Sequence, residues 1–64
     1  DVVHITSEIE MESLSIYNYT GQSIVHVEIN ATSYQLNTSS FTSGVYSIKI
    51  NTEENIILKR LIIK

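Results

Sequence analysis

The residues best suited to metal chemistry are a histidine and a glutamate at alternate positions of one segment. His26 and Glu28 stand two residues apart in an alternating run, so in a β-strand their side chains lie on one face and offer two zinc-type ligands. Val25, Val27 and Ile29 occupy the alternate positions, which predicts that the opposite face is buried. The simpler interpretation is therefore the solvated side of an amphipathic strand, and we expect no metal site.

Catalysis by paired carboxylates or by an activated serine has weaker support. Glycoside hydrolysis needs two carboxylates that flank a groove, whereas Glu8, Glu10 and Glu12 alternate along a polar segment and Glu53 and Glu54 mark a turn. The serines are not placed in a Gly-x-Ser-x-Gly elbow, which would expose a nucleophile at a strand-to-helix turn. We therefore expect a chain that is not an enzyme and that requires no cofactor.

The four tyrosines offer the remaining binding chemistry, because an aromatic ring combines flat apolar area with a polar handle. Tyr17 and Tyr19 are predicted to share a strand face opposite Leu14 and Ile16, which favours partial exposure. This pair supports one alternative, a carbohydrate-binding or adhesive β-sandwich module appended to a secreted enzyme. A third hypothesis, an inert immunoglobulin-like spacer, assigns no role to any of these residues.

Length and charge limit the architecture and the partners. The 64 residues allow one domain, the absence of cysteine excludes disulfides, and a net charge of −3 with only four basic residues is a poor match for nucleic acid. No cavity-forming second lobe is expected, and hence no small-molecule substrate. The chain begins without methionine and without a signal-peptide pattern. We expect a fragment of a longer secreted precursor, whose signal peptide lies elsewhere.

Apolar side chains recur with a period of two, which is typical of strands that bury one face. The pattern predicts six strands, at about residues 2–6, 13–19, 22–29, 33–37, 45–51 and 56–63. Strands at regular spacing without helices favour two packed sheets. The predicted fold is all-β: a small antiparallel two-sheet β-sandwich of about six to seven strands, immunoglobulin-like with Greek-key links.

Two polar tetrapeptides are predicted to close hairpins. Residues 18–21 read Asn-Tyr-Thr-Gly, which suits a type I turn followed by a glycine at positive φ, and residues 52–55 read Thr-Glu-Glu-Asn. Between them lies a polar loop, residues 38–44, with one aromatic side chain. We expect that side chain, Phe41, to plug the open end of the core.

The final strand is unusual because both of its faces are apolar. Ile56, Leu58 and Ile62 occupy one face and isoleucine or leucine also occupies most of the other, interrupted by Lys59 and Arg60. One interpretation is a strand at the centre of its sheet with the two charges reaching solvent. The other is an exposed face or edge that awaits a partner, guarded against aggregation by its basic residues.

Three motifs occur in a fixed order along the chain. Leu14–Gln22 carries an apolar strand into an Asn-x-x-Gly turn, Phe41–Tyr46 reads Phe-x-x-Gly-x-Tyr, and Lys59–Lys64 is a basic, apolar ending. Together they resemble the C-terminal sorting domain of the bacterial type IX secretion system, of the commoner type A class, with phenylalanine for the family's leucine. The family's Asn-Pro motif is missing, and Asp1–Ile5 resembles the strand that follows it.

The resemblance implies a non-catalytic sorting signal that directs a folded cargo from the periplasm across the outer membrane. Its partners would be outer-membrane secretion proteins and a cysteine-protease-like sortase that removes the domain, leaving the cargo at the cell surface or outside the cell. In isolation, a homodimer through the terminal strand is a further expectation. The residues that match the motifs, and that we expect to carry recognition, are Asn18, Gly21, Phe41, Gly44, Tyr46, Lys59, Arg60 and Lys64.

Overall fold

The computed structural model of the chain describes residues 2–64, which form four antiparallel strands in one sheet. The strands are β1 (Val2–Tyr17), β2 (Ser23–Asn37), β3 (Gly44–Thr52) and β4 (Ile56–Ile63), and their order across the sheet is β2-β1-β3-β4. The described residues contain no helix, and therefore none that is long and apolar enough to cross a membrane. The predicted all-β class is confirmed.

Residues 2–64 form four strands in one sheet rather than the predicted two-sheet sandwich of six to seven strands. The runs predicted at 2–6 and 13–19 are the two ends of β1, and those at 22–29 and 33–37 are the two ends of β2. The last two predicted strands correspond to β3 and β4. The observed strand order also differs from the 4-1-2-3 order of a Greek key, because β3 pairs with β1 on the side opposite to β2.

The first two strands are too long to be straight. A strand of 16 residues at about 3.3 Å per residue would extend about 50 Å, whereas the longest dimension of the Cα trace is 31 Å. The β1–β2 hairpin therefore bends, and its far half folds over the sheet that its near half forms with β3 and β4. We call this folded half, Val2–Ser7 with residues 33–37 of β2, the hairpin arm.

Irregular pairing produces the bend. Thr6 pairs with Ser33 and the next pair is Met11 with Ala31, so β1 advances five residues while β2 advances two. Immediately beyond, β2 contains Asn30 at φ 53°, in the left-handed region that asparagine tolerates better than most residues. Extra residues of this kind bend a strand and increase its twist.

The bend encloses a core that neither half could bury alone. Apolar side chains of the hairpin arm, such as Val3 and Ile5, pack against the inner face of the four-stranded part. Met11, Leu14 and Ile16 are completely buried. The buried apolar core as a whole comprises Met11, Leu14, Ile16, Leu36, Tyr46, Ile48 and Ile50.

The β3–β4 hairpin closes through the predicted tetrapeptide, and its first side chain organises the turn. The Thr52 amide donates to the Asn55 carbonyl at 2.9 Å, and the Thr52 hydroxyl accepts hydrogen bonds from the amides of Glu54 and Asn55 at 3.3 and 3.0 Å. The same hydroxyl lies 2.8 Å from the Asn55 side-chain oxygen, to which it donates. The turn fixes the register in which β4 lies beside β3.

Candidate recognition surfaces

Most of the motif residues meet at one end of the molecule, which we call the loop end. β1 finishes there at Tyr17, while Gly44 begins β3 and pairs with Ile63 near the end of β4. A cleft of about 430 Å³ opens between the 18–22 turn and the 38–43 loop. Its lining includes the motif residues Asn18, Phe41, Gly44 and Tyr46. Gly21 lies in the adjoining turn, and Lys64 follows Ile63 at the same end.

Asn18 organises the turn at the loop end. Its side-chain oxygen accepts three hydrogen bonds, from the Thr20 amide at 3.1 Å, the Thr20 hydroxyl at 2.7 Å and the Gln22 amide at 2.9 Å. Its carbonyl accepts from the Gly21 amide at 2.9 Å, and Gly21 has φ 88°, as the sequence predicted. An L-residue with a side chain would be strained at this φ. Asn18 and Gly21 therefore stabilise the turn, and this structural role accounts for their place in the motif.

Replacing Asn18 by alanine is expected to lower the free energy of unfolding by about 1–2 kcal/mol, because one acceptor is removed from three donors at a solvent-exposed site. Asn18→Asp is the matched control: it keeps the accepting oxygen and loses only the amide bond to Gln22. Urea denaturation followed by circular dichroism measures both. Equal stability of the two variants would contradict the assigned role of the oxygen.

The Phe-x-x-Gly-x-Tyr motif builds a rigid corner beside that turn. The Tyr46 hydroxyl donates to the Thr42 carbonyl at 2.6 Å, and the Phe41 and Tyr46 rings lie 5.1 Å apart in a tilted arrangement. Phe41 also packs against the core, as predicted for a plug. Gly44, at φ 156°, adopts a backbone conformation that residues with side chains rarely take. The motif thus holds the 38–43 loop against the start of β3.

The terminal strand is an edge strand, so the interpretation that places it at the centre of its sheet is wrong. β4 pairs only with β3 among the described residues. Ile57, Leu61 and Ile63 face inward and pack against the core, whereas the opposite face is exposed. That outer face presents Leu58, 73% exposed, and Ile62, 59% exposed. We call it, together with Ile56 and Val45, the β4 outer face; Ile62 pairs with Val45 across the strands.

Basic side chains accompany this edge without ion-pair partners. Lys59, Arg60 and Lys64 are exposed, and none of them forms an ion pair with another described residue. Alternation places Lys59 on the inner side with Ile57 and Leu61, and Arg60 on the outer face with Leu58 and Ile62. Lysine and arginine at an open edge disfavour indiscriminate strand pairing. The eight predicted recognition residues therefore separate into two groups: six lie at the loop end, four of which line the cleft, and two lie in the middle of β4.

His26 and Glu28 contact each other rather than a third ligand. Their side chains approach to 3.1 Å, and the Ser15 hydroxyl lies 2.8 Å from the other ring nitrogen of His26. Sequence reasoning missed this chain of contacts because Ser15 and His26 become neighbours only through strand register. Ser15 is only 5% exposed and does not line the loop-end cleft, so its hydroxyl is not accessible as a nucleophile there. Among residues 2–64, no three potential metal ligands cluster.

The predicted two-tyrosine strip does not form on a strand. β1 ends at Tyr17, and Tyr19 projects from the turn with 87% of its surface exposed. Tyr34 packs against the core and Tyr46 is buried. Tyr17 and Tyr19 therefore do not share a strand face, which was the sequence feature that supported the carbohydrate-binding alternative.

Comparison with known proteins identifies the family. The family model described as the secretion system C-terminal sorting domain matches residues 1–64, the whole chain. No curated protein and no solved structure gave a significant match. The match agrees with the order of the turn motif, the aromatic corner and the basic terminal strand. The chain therefore belongs to the C-terminal sorting domains of the type IX secretion system.

Proposed function

We propose that the domain is a non-catalytic export signal, which the type IX secretion machinery recognises in order to carry an attached cargo across the outer membrane. A domain of this family implies a cargo that is secreted or held at the cell surface. The cargo lies N-terminal to the domain in a longer precursor whose signal peptide first delivers it to the periplasm. A sortase then removes the domain, and residues 1–64 act as one unit.

The observation that carries the proposal is the β4 outer face at the end of a chain that matches the sorting family throughout. A small domain gains stability by burying large apolar side chains, yet Leu58 and Ile62 remain largely exposed on an edge strand. Contiguous exposed apolar residues rimmed by charge mark protein–protein contacts. Arg60 lies between these two side chains and belongs to a residue type enriched in interface hot spots.

We assign contact with outer-membrane secretion proteins to the β3–β4 hairpin and the positioning of that hairpin to the loop-end motifs. The turn of Asn18 and Gly21 and the corner of Phe41, Gly44 and Tyr46 hold the start of β3, which in turn positions β4. Lys59, Arg60 and Lys64 supply charge to the docking surface. When no secretion partner is present, the open edge of β4 would pair with a second copy and give a homodimer.

A fusion experiment tests the proposal. The 64-residue chain is attached to the C-terminus of a reporter enzyme that carries a secretory signal peptide, in a bacterium with a type IX system. We expect reporter activity at the surface or in the medium of the competent strain, and periplasmic retention in a secretion-deficient strain. Retention in both strains, with the reporter folded and the domain intact, would overturn the proposal.

A further inference from the structure

A groove separates the hairpin arm from the inner side of the terminal hairpin. Residues 3–7 of β1 form one wall, and its other lining side chains include Ile48, Ile50, Ile57 and Leu61. Its volume is about 420 Å³, which lies within the range of cavities that hold ligands. Ile57 and Leu61 are only half-buried, because the arm contributes two strands over a four-stranded surface. The groove is the part of the inner face that this narrow arm leaves uncovered.

Both walls of the groove are strand edges without a neighbour. Residues 2–6 of β1 pair with β2 on one side, and the pairing of β1 with β3 begins only at Met11. Across the groove, β4 pairs with β3 and with no other described strand. Unpaired amides and carbonyls along a strand edge are a template for an added strand. An extended segment in the groove could therefore pair with an edge and cover the apolar floor at once.

The charge of the groove indicates the chemistry of that segment. Lys59 lies on the inner side of β4 among the lining residues, and Arg60 also borders the groove. Neither forms an ion pair with a described residue, although the chain as a whole carries a net charge of −3. A strand laid here would place alternate side chains on the isoleucine and leucine floor. Acidic side chains at the remaining positions would meet Lys59.

We propose that this groove accepts an extended segment of the secretion machinery in which acidic and apolar residues alternate, added as a strand to the free edge of residues 2–7. The inference rests on the proposed sorting function and names the chemistry of its partner. The groove is a second contact surface, separate from the β4 outer face, because the two surfaces lie on opposite sides of β4. A partner that binds both surfaces would contact β4 on its two faces.

A peptide of alternating valine and glutamate, capped at both ends and labelled with a fluorophore, tests the proposal on the 64-residue chain. We expect saturable binding by fluorescence anisotropy, and amide shifts in nuclear magnetic resonance spectra that concentrate at residues 3–7 and 57–61. The same peptide with lysine for glutamate, and one with alternate backbone nitrogens methylated, should bind at least about tenfold more weakly. No saturable binding, or shifts confined to the β4 outer face, would overturn the proposal.

A pair of charge reversals gives the matched control. Lys59→Glu should weaken binding of the valine–glutamate peptide about tenfold, because it places a like charge beside the glutamates. Lys49→Glu changes the net charge equally. Lys49 lies on the outer side of the sheet, where it pairs with Ser15 and Leu58, so this substitution should weaken binding less than about twofold. Equal effects would indicate non-specific charge attraction and contradict a groove site.

Self-association is the competing occupant, because the chain itself carries an exposed Glu8-Ile9-Glu10 segment. Sedimentation of the unliganded chain decides this point: a dimer abolished by Glu8→Lys and displaced by the peptide would replace the partner with a second copy and overturn the proposal. Peptide binding is measured without export. Failure here therefore leaves the sorting proposal standing, and failed export of the fusion leaves a positive binding result standing as chemistry without that function.

Discussion

Replacing Leu14 by alanine is expected to leave most of the chain unfolded at 25 °C. Leu14 is fully buried, at the centre of the sheet, between Val27 on β2 and Ile50 on β3. Leucine-to-alanine changes at such sites lower the free energy of unfolding by about 2–5 kcal/mol, since they remove apolar contacts and leave a cavity. A single hydrophobic core in a domain of this size rarely supplies more than about 3–5 kcal/mol of net stability. The change is therefore comparable to the entire stability of the fold.

Leu58→Ala provides the matched control for this prediction. The same atoms are removed from a side chain that is 73% exposed, so the expected loss is below about 1 kcal/mol. Circular dichroism and urea denaturation of both variants beside the parent chain measure the difference. Comparable losses at Leu14 and Leu58 would mean either that the β4 outer face is covered in solution or that the assignment of inner and outer faces is wrong.

The apolar pattern of β1 changes at the bend, but this pattern alone does not show whether the strand bends or ends there. Val3 and Ile5 face inward at odd positions, whereas Leu14 and Ile16 face inward at even positions. Such a switch from odd to even inward positions occurs where the chain turns between two strands, and it also occurs at a bulge within one continuous strand. Both alternatives give the same apolar pattern. The choice depends on long-range pairing of β1 with β2, which no local signal reports.

Local chemistry explains why the turn and corner motifs were predicted well. Asn18 and Gly21 act within a four-residue turn, and Phe41 and Tyr46 are five residues apart, so their contacts need little of the remaining fold. The groove was not predictable in this way. It exists only because the hairpin arm folds over and leaves Lys59 facing residues that are more than fifty positions away in sequence.

A deletion of the end of β4 would affect folding as well as recognition, because one face of this edge strand packs against the core. Removing Lys59–Lys64 would also remove Leu61 and Ile63, which pack against the core. A truncated chain would therefore lose stability together with any docking surface, and failed export would have two explanations. Substitutions confined to the exposed face separate recognition from folding.

The double change Leu58→Ser and Ile62→Ser is expected to abolish delivery of a fused reporter while the domain stays folded. Truncating a side chain at an interface hot spot costs about 2 kcal/mol or more, so two such changes would weaken docking several-hundredfold if their effects add. Surface activity of the reporter, with the amount of intact fusion measured in parallel, gives the result. Folding is checked by circular dichroism of the isolated chain.

The matched control replaces two exposed apolar residues elsewhere, Tyr19→Ser and Ile24→Ser. Both line the loop-end cleft, and Ile24 belongs to β2, at the opposite edge of the sheet from β4, so export should persist because neither residue belongs to the β4 outer face. The opposite result, export lost with this pair and retained with Leu58→Ser and Ile62→Ser, would move the docking surface to the loop end. In that case, the turn and corner motifs would contact the machinery directly rather than position β4.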